Sequence, residues 1–330
     1  MDPLLQSARA VTTVRSRHVA WEEPRCMLCG DDRHLPLEDA PRLIFDGRCS
    51  TVVRCRACGL CYTSPRPSAE TIHRFYEGYE PHQHCGLTPS RRRHLAGGLD
   101  LDRLKFWHLS HPQRYGLPRR GQGRLLDFGC GGGEFLELMH LRGWRVLGLD
   151  ACGSVIERIR GELKFPALAG TLPHAEIPPE GFDLVTMWQA LEHVHQPIEV
   201  LRQAWRALAP GGKLVVGVPN LAGAPRRWFR AAWCGWRLPH HLTHFTPATL
   251  RQMVERAGFQ TERVWLPPNA AWLRESAETA LRLEPEAAWR RWLTSRFVAR
   301  RVVSYLYLTR QSDEMVLTAI KRTDGQRSDS

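Results

Sequence analysis

The sequence predicts an α/β protein: a doubly wound parallel sheet preceded by a small cysteine-rich unit. Three observations predict it. Apolar runs at Arg124–Phe128, Arg145–Asp150, Ala167–Gly170, Phe182–Met187, Lys213–Val218 and Thr261–Leu266 read as buried strands, and helical stretches such as Pro197–Ala209 and Pro247–Ala257 alternate with them. The first of these strands runs into a glycine-rich turn, Asp127-x-Gly129-x-Gly131-x-Gly133. Far upstream stand two C-x-x-C-G pairs.

The cysteine unit comes first in the chain. Cys26 and Cys29, then Cys55 and Cys58, form two knuckles with 25 residues between them, each followed by a glycine. Two thiolates at this spacing can bite one cation from a tight turn, and two such turns close a tetrahedral Zn²⁺ site with no open position for water. Strand character at 43–45 and 51–54 makes the unit zinc-ribbon-like, and the closed ligand set makes the metal structural. The organisation expected is a flexible tail at 1–20, the ribbon at 21–67, a helical connector or cap at 68–120, the nucleotide-binding domain at 121–322 with a helical insertion at 270–310, and a flexible tail at 323–330.

In the main domain the glycines let the backbone turn tightly and approach a ligand with no Cβ in the way. Asp150, 23 positions after Asp127, ends the next strand, placed to accept both hydroxyls of a ribose. The pattern is not the G-x-G-x-x-G of dinucleotide folds: Glu134 stands where its third glycine would be, and a carboxylate there would face a pyrophosphate. Thr246 as N-cap, Pro247 at the first helical position and Gly258 past the end frame the helix at 247–257.

The D-x-G-x-G-x-G stretch resembles motif I of the class I S-adenosylmethionine-dependent methyltransferases. The resemblance continues through 181–187 as a fourth strand, 190–194 as the turn after it, and 208–220 as a fifth strand. It implies a seven-stranded, Rossmann-like sheet whose last strand, near 313–321, is antiparallel. It also implies that Asp127, Gly129, Gly131, Gly133 and Asp150 hold the cofactor, that Ala151, Thr171 and Leu172 line the adenine, and that Gln189 lies near the methionine end. A subgroup with an N-terminal Cys₄ module is similar over most of the chain: Cys58-Gly-Leu-Cys-Tyr-Thr-Ser-Pro-Arg-Pro67 and Pro239-His-His-Leu-Thr-His-Phe-Thr-Pro247 carry that likeness. Its relatives act on sugars, lipid-linked saccharides and secondary metabolites.

Methyl transfer to oxygen needs a base, and histidine is the usual one near neutrality. His240 and His241 in the later loop and His193 after the fourth strand are the candidates; His244, beside the Thr246 cap, reads as structural. Trp228, Trp233 and Trp236 either wall a substrate cleft or form an apolar cluster under a loop.

Composition bounds the partners. No apolar run approaches the ~20 residues that span a bilayer, and the start lacks a basic-then-apolar segment, so a cytoplasmic enzyme with reduced cysteines is expected. The net charge of +12 comes from arginine, 42 of 46 basic residues, scattered rather than gathered into a nucleic-acid stripe. Met187-Trp-Gln-Ala190 also lacks the Asn/Asp-Pro-Pro-aromatic stretch of exocyclic-amine methyltransferases, and no cysteine nucleophile sits in the corresponding loop. A small-molecule acceptor is therefore expected. The alternatives are RNA or protein methylation with the ribbon as a docking module, or a non-catalytic cofactor-binding partner protein. A membrane surface is possible but not favoured: the aromatics and arginines of 289–305 are expected to form an ordinary amphipathic helix packed on the core.

Overall fold

Residues 19–76 and 123–322 are described in the computed structural model. The first stretch forms β1 (Trp21–Glu22), β2 (His34–Pro36), β3 (Leu43–Phe45), β4 (Arg48–Cys55), β5 (Cys61–Ser64) and β6 (Arg66–Pro67). Most of the expected helical connector and nearly all of both tails lie outside the described residues.

In the second stretch, β7 (Arg124–Phe128), β8 (Arg145–Asp150), β9 (Ala167–Ala169), β10 (Phe182–Trp188), β11 (Leu208–Pro219), β13 (Gln260–Trp265) and β14 (Glu314–Ile320) form one sheet in the order β13-β14-β11-β10-β7-β8-β9. The neighbours from β9 to β11 pair in parallel, while β14 is antiparallel to both β11 and β13. This is the seven-stranded sheet with a reversed last strand that the family resemblance implied. Helices α1 (Glu134–His140), α2 (Gly153–Arg158), α3 (Pro197–Ala207), α4 (Ala224–Phe229) and α5 (Pro247–Arg256) connect the strands. The insertion holds α6 (Ala270–Leu283), α7 (Arg291–Thr294) and α8 (Arg296–Leu308).

Local chemistry explains the boundaries. Helix α5 starts where the Thr246 hydroxyl accepts the Thr249 N–H and the Thr249 hydroxyl accepts the Thr246 N–H, with Pro247 needing no partner. Gly258, at φ +107°, turns the chain away from it. Strand β11 begins earlier than expected, at Leu208, with Gly211 at φ +75° carrying the backbone into the main run at Lys213.

Two apolar clusters sandwich the sheet. One holds α1 and α2 through Phe135, Leu136, Met139, Ile156 and Ile159. The other holds α3 and α5 through Val200, Leu201, Leu250 and Met253, and extends without a break into the cysteine unit through Leu28, Val53, Leu60 and Tyr62. A second bond joins the two regions. Strand β5 pairs antiparallel with β12 (Thr243–His244), the middle of the histidine loop, so the ribbon sheet runs β12-β5-β4-β2 with β3 paired to β4. Buried Arg66 clamps the same joint: its Nε donates to Glu22 Oε1 at 2.6 Å and its Nη2 to the His195 carbonyl at 3.3 Å.

Candidate active site and metal centre

The cofactor half grows from the turn after β7. Gly129, Gly131 and Gly133 all have positive φ, +71°, +49° and +77°. A Cβ on Gly129 would stand 2.5 Å from the Ala190 Cβ, so the loop touches the turn after β10 directly. Asp150 is the latch: its Oδ2 accepts the Gly131 N–H at 3.0 Å and its Oδ1 the Cys152 N–H at 2.9 Å. An ionised carboxylate accepts about four hydrogen bonds, so capacity for two ribose hydroxyls remains. Asp127 lies beneath the loop, fully buried between strands, where the Thr186 hydroxyl donates to it at 2.6 Å and burial pushes its carboxyl up to about 7. Leu172 is buried beyond β9, whereas Ala151 and Thr171 are exposed. Gln189 has φ +51° at the tip of β10 and its Nε2 donates to Glu314 Oε1 at 3.4 Å.

The other half gathers around the short turn Leu191–His193. The His193 and His241 rings lie edge-to-face at 4.6 Å, and one nitrogen of each, with a Glu192 oxygen, falls within 4.8 Å of the other two. His241 Nδ1 donates to the Gly235 carbonyl at 2.8 Å, and His193 Nδ1 to the His240 carbonyl at 3.1 Å. A carbonyl can only accept, so His241 carries its proton on Nδ1 and keeps the Nε2 lone pair, while His193 Nδ1 also stands 3.1 Å from the Tyr76 hydroxyl, which can accept from the same N–H. Burial holds both imidazoles neutral: His193 is pushed down to about 3, and His241 well below its ordinary range, helped by its histidine neighbours. Glu192 is fully buried, neither of its oxygens has a hydrogen-bond partner among the described residues, and burial raises its carboxyl to about 8.

His240 is turned elsewhere. Its Nε2 donates to the Phe75 carbonyl at 3.0 Å and its ring packs edge-on against Tyr76 at 4.7 Å. His244 is structural: buried, 3.1 Å from the Thr63 hydroxyl, its ring on Trp236. Trp233 and Trp236 are buried in an apolar cluster with the insertion helices, so they form the floor beneath the loop. Sequence reasoning did not single out Thr63, whose hydroxyl donates to the His241 carbonyl at 2.6 Å, nor Glu192 as a member of the site. Nor did it find Asp313, a buried carboxyl neither of whose oxygens has a hydrogen-bond partner among the described residues, pushed by burial up to about 8.

Two sets of side chains among the described residues are close enough to share a cation: this trio and the four cysteines. In the cysteine set, the Sγ atoms of Cys26 and Cys58 stand 3.4 Å apart, and those of Cys29 and Cys55 3.5 Å. A disulfide would need ~2.05 Å. Four sulfurs at ~2.3 Å from one zinc stand roughly 3.8 Å apart, so the cage fits that ion within a few tenths of an ångström. Gly30 and Gly59, at φ +80° and +76°, close the knuckles through bonds to the Cys26 and Cys55 carbonyls. Burial pushes the Cys26 thiol up to about 11, an excess that a divalent cation would reverse.

Comparison with known proteins agrees with this geometry. A family model for a methyltransferase domain matches residues 102–264. A Mycolicibacterium smegmatis protein named "probable S-adenosylmethionine-dependent methyltransferase" is 29% identical over 162 residues, 48% of this chain and 60% of that one. The ubiquinone biosynthesis O-methyltransferase of Psychrobacter arcticus is 32% identical over 174 residues, 44% of this chain and 67% of the relative. A solved S-adenosylmethionine-dependent methyltransferase from Mesorhizobium loti is 21% identical, covering 64% of this chain and 97% of that one at a TM-score of 0.45. Sheet order and glycine loop define the class, a nucleoside-binding α/β protein. The chain belongs to the class I S-adenosylmethionine-dependent methyltransferases. It spans about 60% of the first relative's length, and the cysteine unit lies outside the family match.

Proposed function

We propose that the protein transfers the methyl group of S-adenosylmethionine to a hydroxyl oxygen of a small molecule, a sugar, lipid-linked saccharide or secondary metabolite. One observation carries this reading: His193, His241 and Glu192 converge beside a turn whose preceding residue, Ala190, touches the glycine loop. Bound S-adenosylmethionine supplies a methyl already activated on a sulfonium. The chain must then orient the acceptor in line with it, worth roughly 7–11 kcal/mol in favourable cases, and take one proton.

In this reading Gly129, Gly131 and Gly133 let the backbone pass the methionine portion, and Asp150 holds the ribose. Ala151, Thr171 and Leu172 border the adenine, and Gln189 sits by the methionine end. His241 or His193 takes the hydroxyl proton on Nε2. Glu192, with an oxygen within 4.8 Å of a nitrogen of each ring, faces the imidazolium that forms. His240, committed to Phe75, is a positioning residue for the loop. The name of the Psychrobacter relative, an O-methyltransferase, supports oxygen as the target. The chain divides as a zinc ribbon at 21–67, a connector at 68–120 and a methyltransferase domain at 121–322. Cys26, Cys29, Cys55 and Cys58 hold one structural Zn²⁺.

The test is incubation with methyl-labelled cofactor and fractionated host metabolites, lipids and RNA. Label should enter a hydroxyl-bearing small-molecule or lipid pool. With that acceptor, His241→Ala should lower kcat well over tenfold with little change in cofactor affinity. Label confined to RNA or protein, or near-normal turnover in both His241→Ala and His193→Ala, would refute the reading.

A further inference from the structure

Among the described residues the insertion helices leave an apolar, cationic face uncovered, and we propose that this face docks on an anionic lipid membrane. Five of the eight exposed large apolar side chains among the described residues fall between 289 and 308. Trp292 is 72% exposed, Phe297 64% and Leu308 78%. The sequence predicted instead that these residues would pack on the core. That role falls to smaller neighbours: Leu293, Ala299 and Val303 turn inward onto the cluster containing Trp233 and Trp236. On α8 the outward residues Phe297, Arg301, Tyr305 and Leu308 are spaced four, four and three apart, which puts them on one helix face.

Charge selects the occupant. Between Glu286 and Asp313 the chain has six arginines and no acidic residue. Arg291, Arg296 and Arg301 are exposed. Arg301 lies over the Phe297 ring at 4.5 Å, so the cation and the apolar surface form one patch. Tryptophan and tyrosine favour the headgroup level of a bilayer, and arginine reaches the phosphates while its stem lies along apolar surface. Amphipathic helices of this composition lie in the interface plane. A second copy of the chain is a poor occupant, because an isologous contact would set arginines against arginines. Single-stranded nucleic acid is taken up by grooves lined with stacking platforms, whereas these side chains stand on an outer helix face.

The proposal does not depend on the acceptor. Full-length protein should float with vesicles of phosphatidylcholine containing one-third phosphatidylglycerol, and bind them more than tenfold more tightly than vesicles of phosphatidylcholine alone. Half-molar salt should release most of it. Arg291→Glu with Arg296→Glu and Arg301→Glu should abolish flotation while S-adenosylhomocysteine binding and the melting temperature hold. Trp292→Ser with Leu308→Ser should weaken binding at unchanged charge. Failure of the wild type to float, or equal flotation with both vesicle types, would overturn the proposal. So would a dimer that the triple variant dissociates, or retention by RNA without flotation.

Discussion

The two halves of the candidate active site are built in different ways. The cofactor half is contiguous: Asp127 to Asp150 lie on one strand-helix-strand unit, and the Asp150 latch closes on Gly131 within it. The histidine half is assembled from four remote segments. Thr63 on β5 ties down the loop at His241 and His244, Phe75 and Tyr76 hold His240, and the turn at 191–193 brings Glu192 and His193. A contiguous site depends on local turns and one sheet register. An assembled site depends on every segment arriving, and here one of them is the ribbon.

The largest effect should come from breaking the ribbon. Metal binding in such sites contributes on the order of 10–16 kcal/mol to the local fold, so Cys55→Ser should abolish zinc in elemental analysis and unfold β4 and β5. With β5 gone, β12 loses its only strand partner among the described residues. Methyl transfer should fall to background. Affinity for S-adenosylhomocysteine should stay within threefold by calorimetry, because α1, which follows the glycine loop, packs on the sheet face the ribbon does not reach. Equal loss of both would mean the halves are one cooperative unit. Wild-type protein with no zinc, or with four freely titrating thiols, would remove the metal from the account.

A pH experiment isolates the cofactor half. Burial raises Asp127 to about 7 from 3.8, so the native state keeps this proton over a range where the unfolded chain has lost it. Its contribution to stability is full below 3.8 and disappears as pH rises through 7, a swing on the order of 4 kcal/mol. Asp127→Asn keeps an acceptor for Thr186 and removes the titration. The melting temperature of the variant relative to wild type should climb from pH 5 to pH 8. A difference that is flat with pH would show that Asp127 ionises normally.

Asp150→Ala attacks the latch. It should weaken S-adenosylhomocysteine binding about a hundredfold, close to 2.7 kcal/mol, and leave zinc content untouched. Unchanged affinity would make the proposed ribose contact wrong.

The same division decides what the sequence could reveal. The alternating strands and helices, the glycine loop, Asp150 and the cysteine cage are legible because each follows from short-range spacing or strand–helix alternation, and the reversed last strand follows from the family resemblance. Glu192 and Thr63 are not. Glu192 reads as one polar residue in a helical turn, and only the fold removes it from water. Thr63 lies 178 residues from His241, and no local pattern announces that β5 and β12 will pair. The two motifs that mark the subgroup, at 58–67 and 239–247, turn out to be the strands' own segments, so the signal was present without its meaning. The insertion misled in another way: periodicity identifies a helix face but not whether anything covers it.

The smallest effect tests that tether alone. Thr63→Val is nearly isosteric, keeps β5 and its backbone ladder, and leaves the cysteines in place. It deletes the hydroxyl that donates to the His241 carbonyl and stands 3.1 Å from His244 Nε2. Both partners are buried, so the loss should cost about 1–3 kcal/mol of stability. If Thr63 fixes the aim of the histidine loop, kcat should fall several-fold while zinc content and cofactor affinity stay at wild-type values, and Thr63→Ser should restore most of the rate. A stability loss with unchanged kcat would make the contact a brace and nothing more. The coupling between ribbon and histidine loop would then rest on the β5–β12 backbone pairing alone.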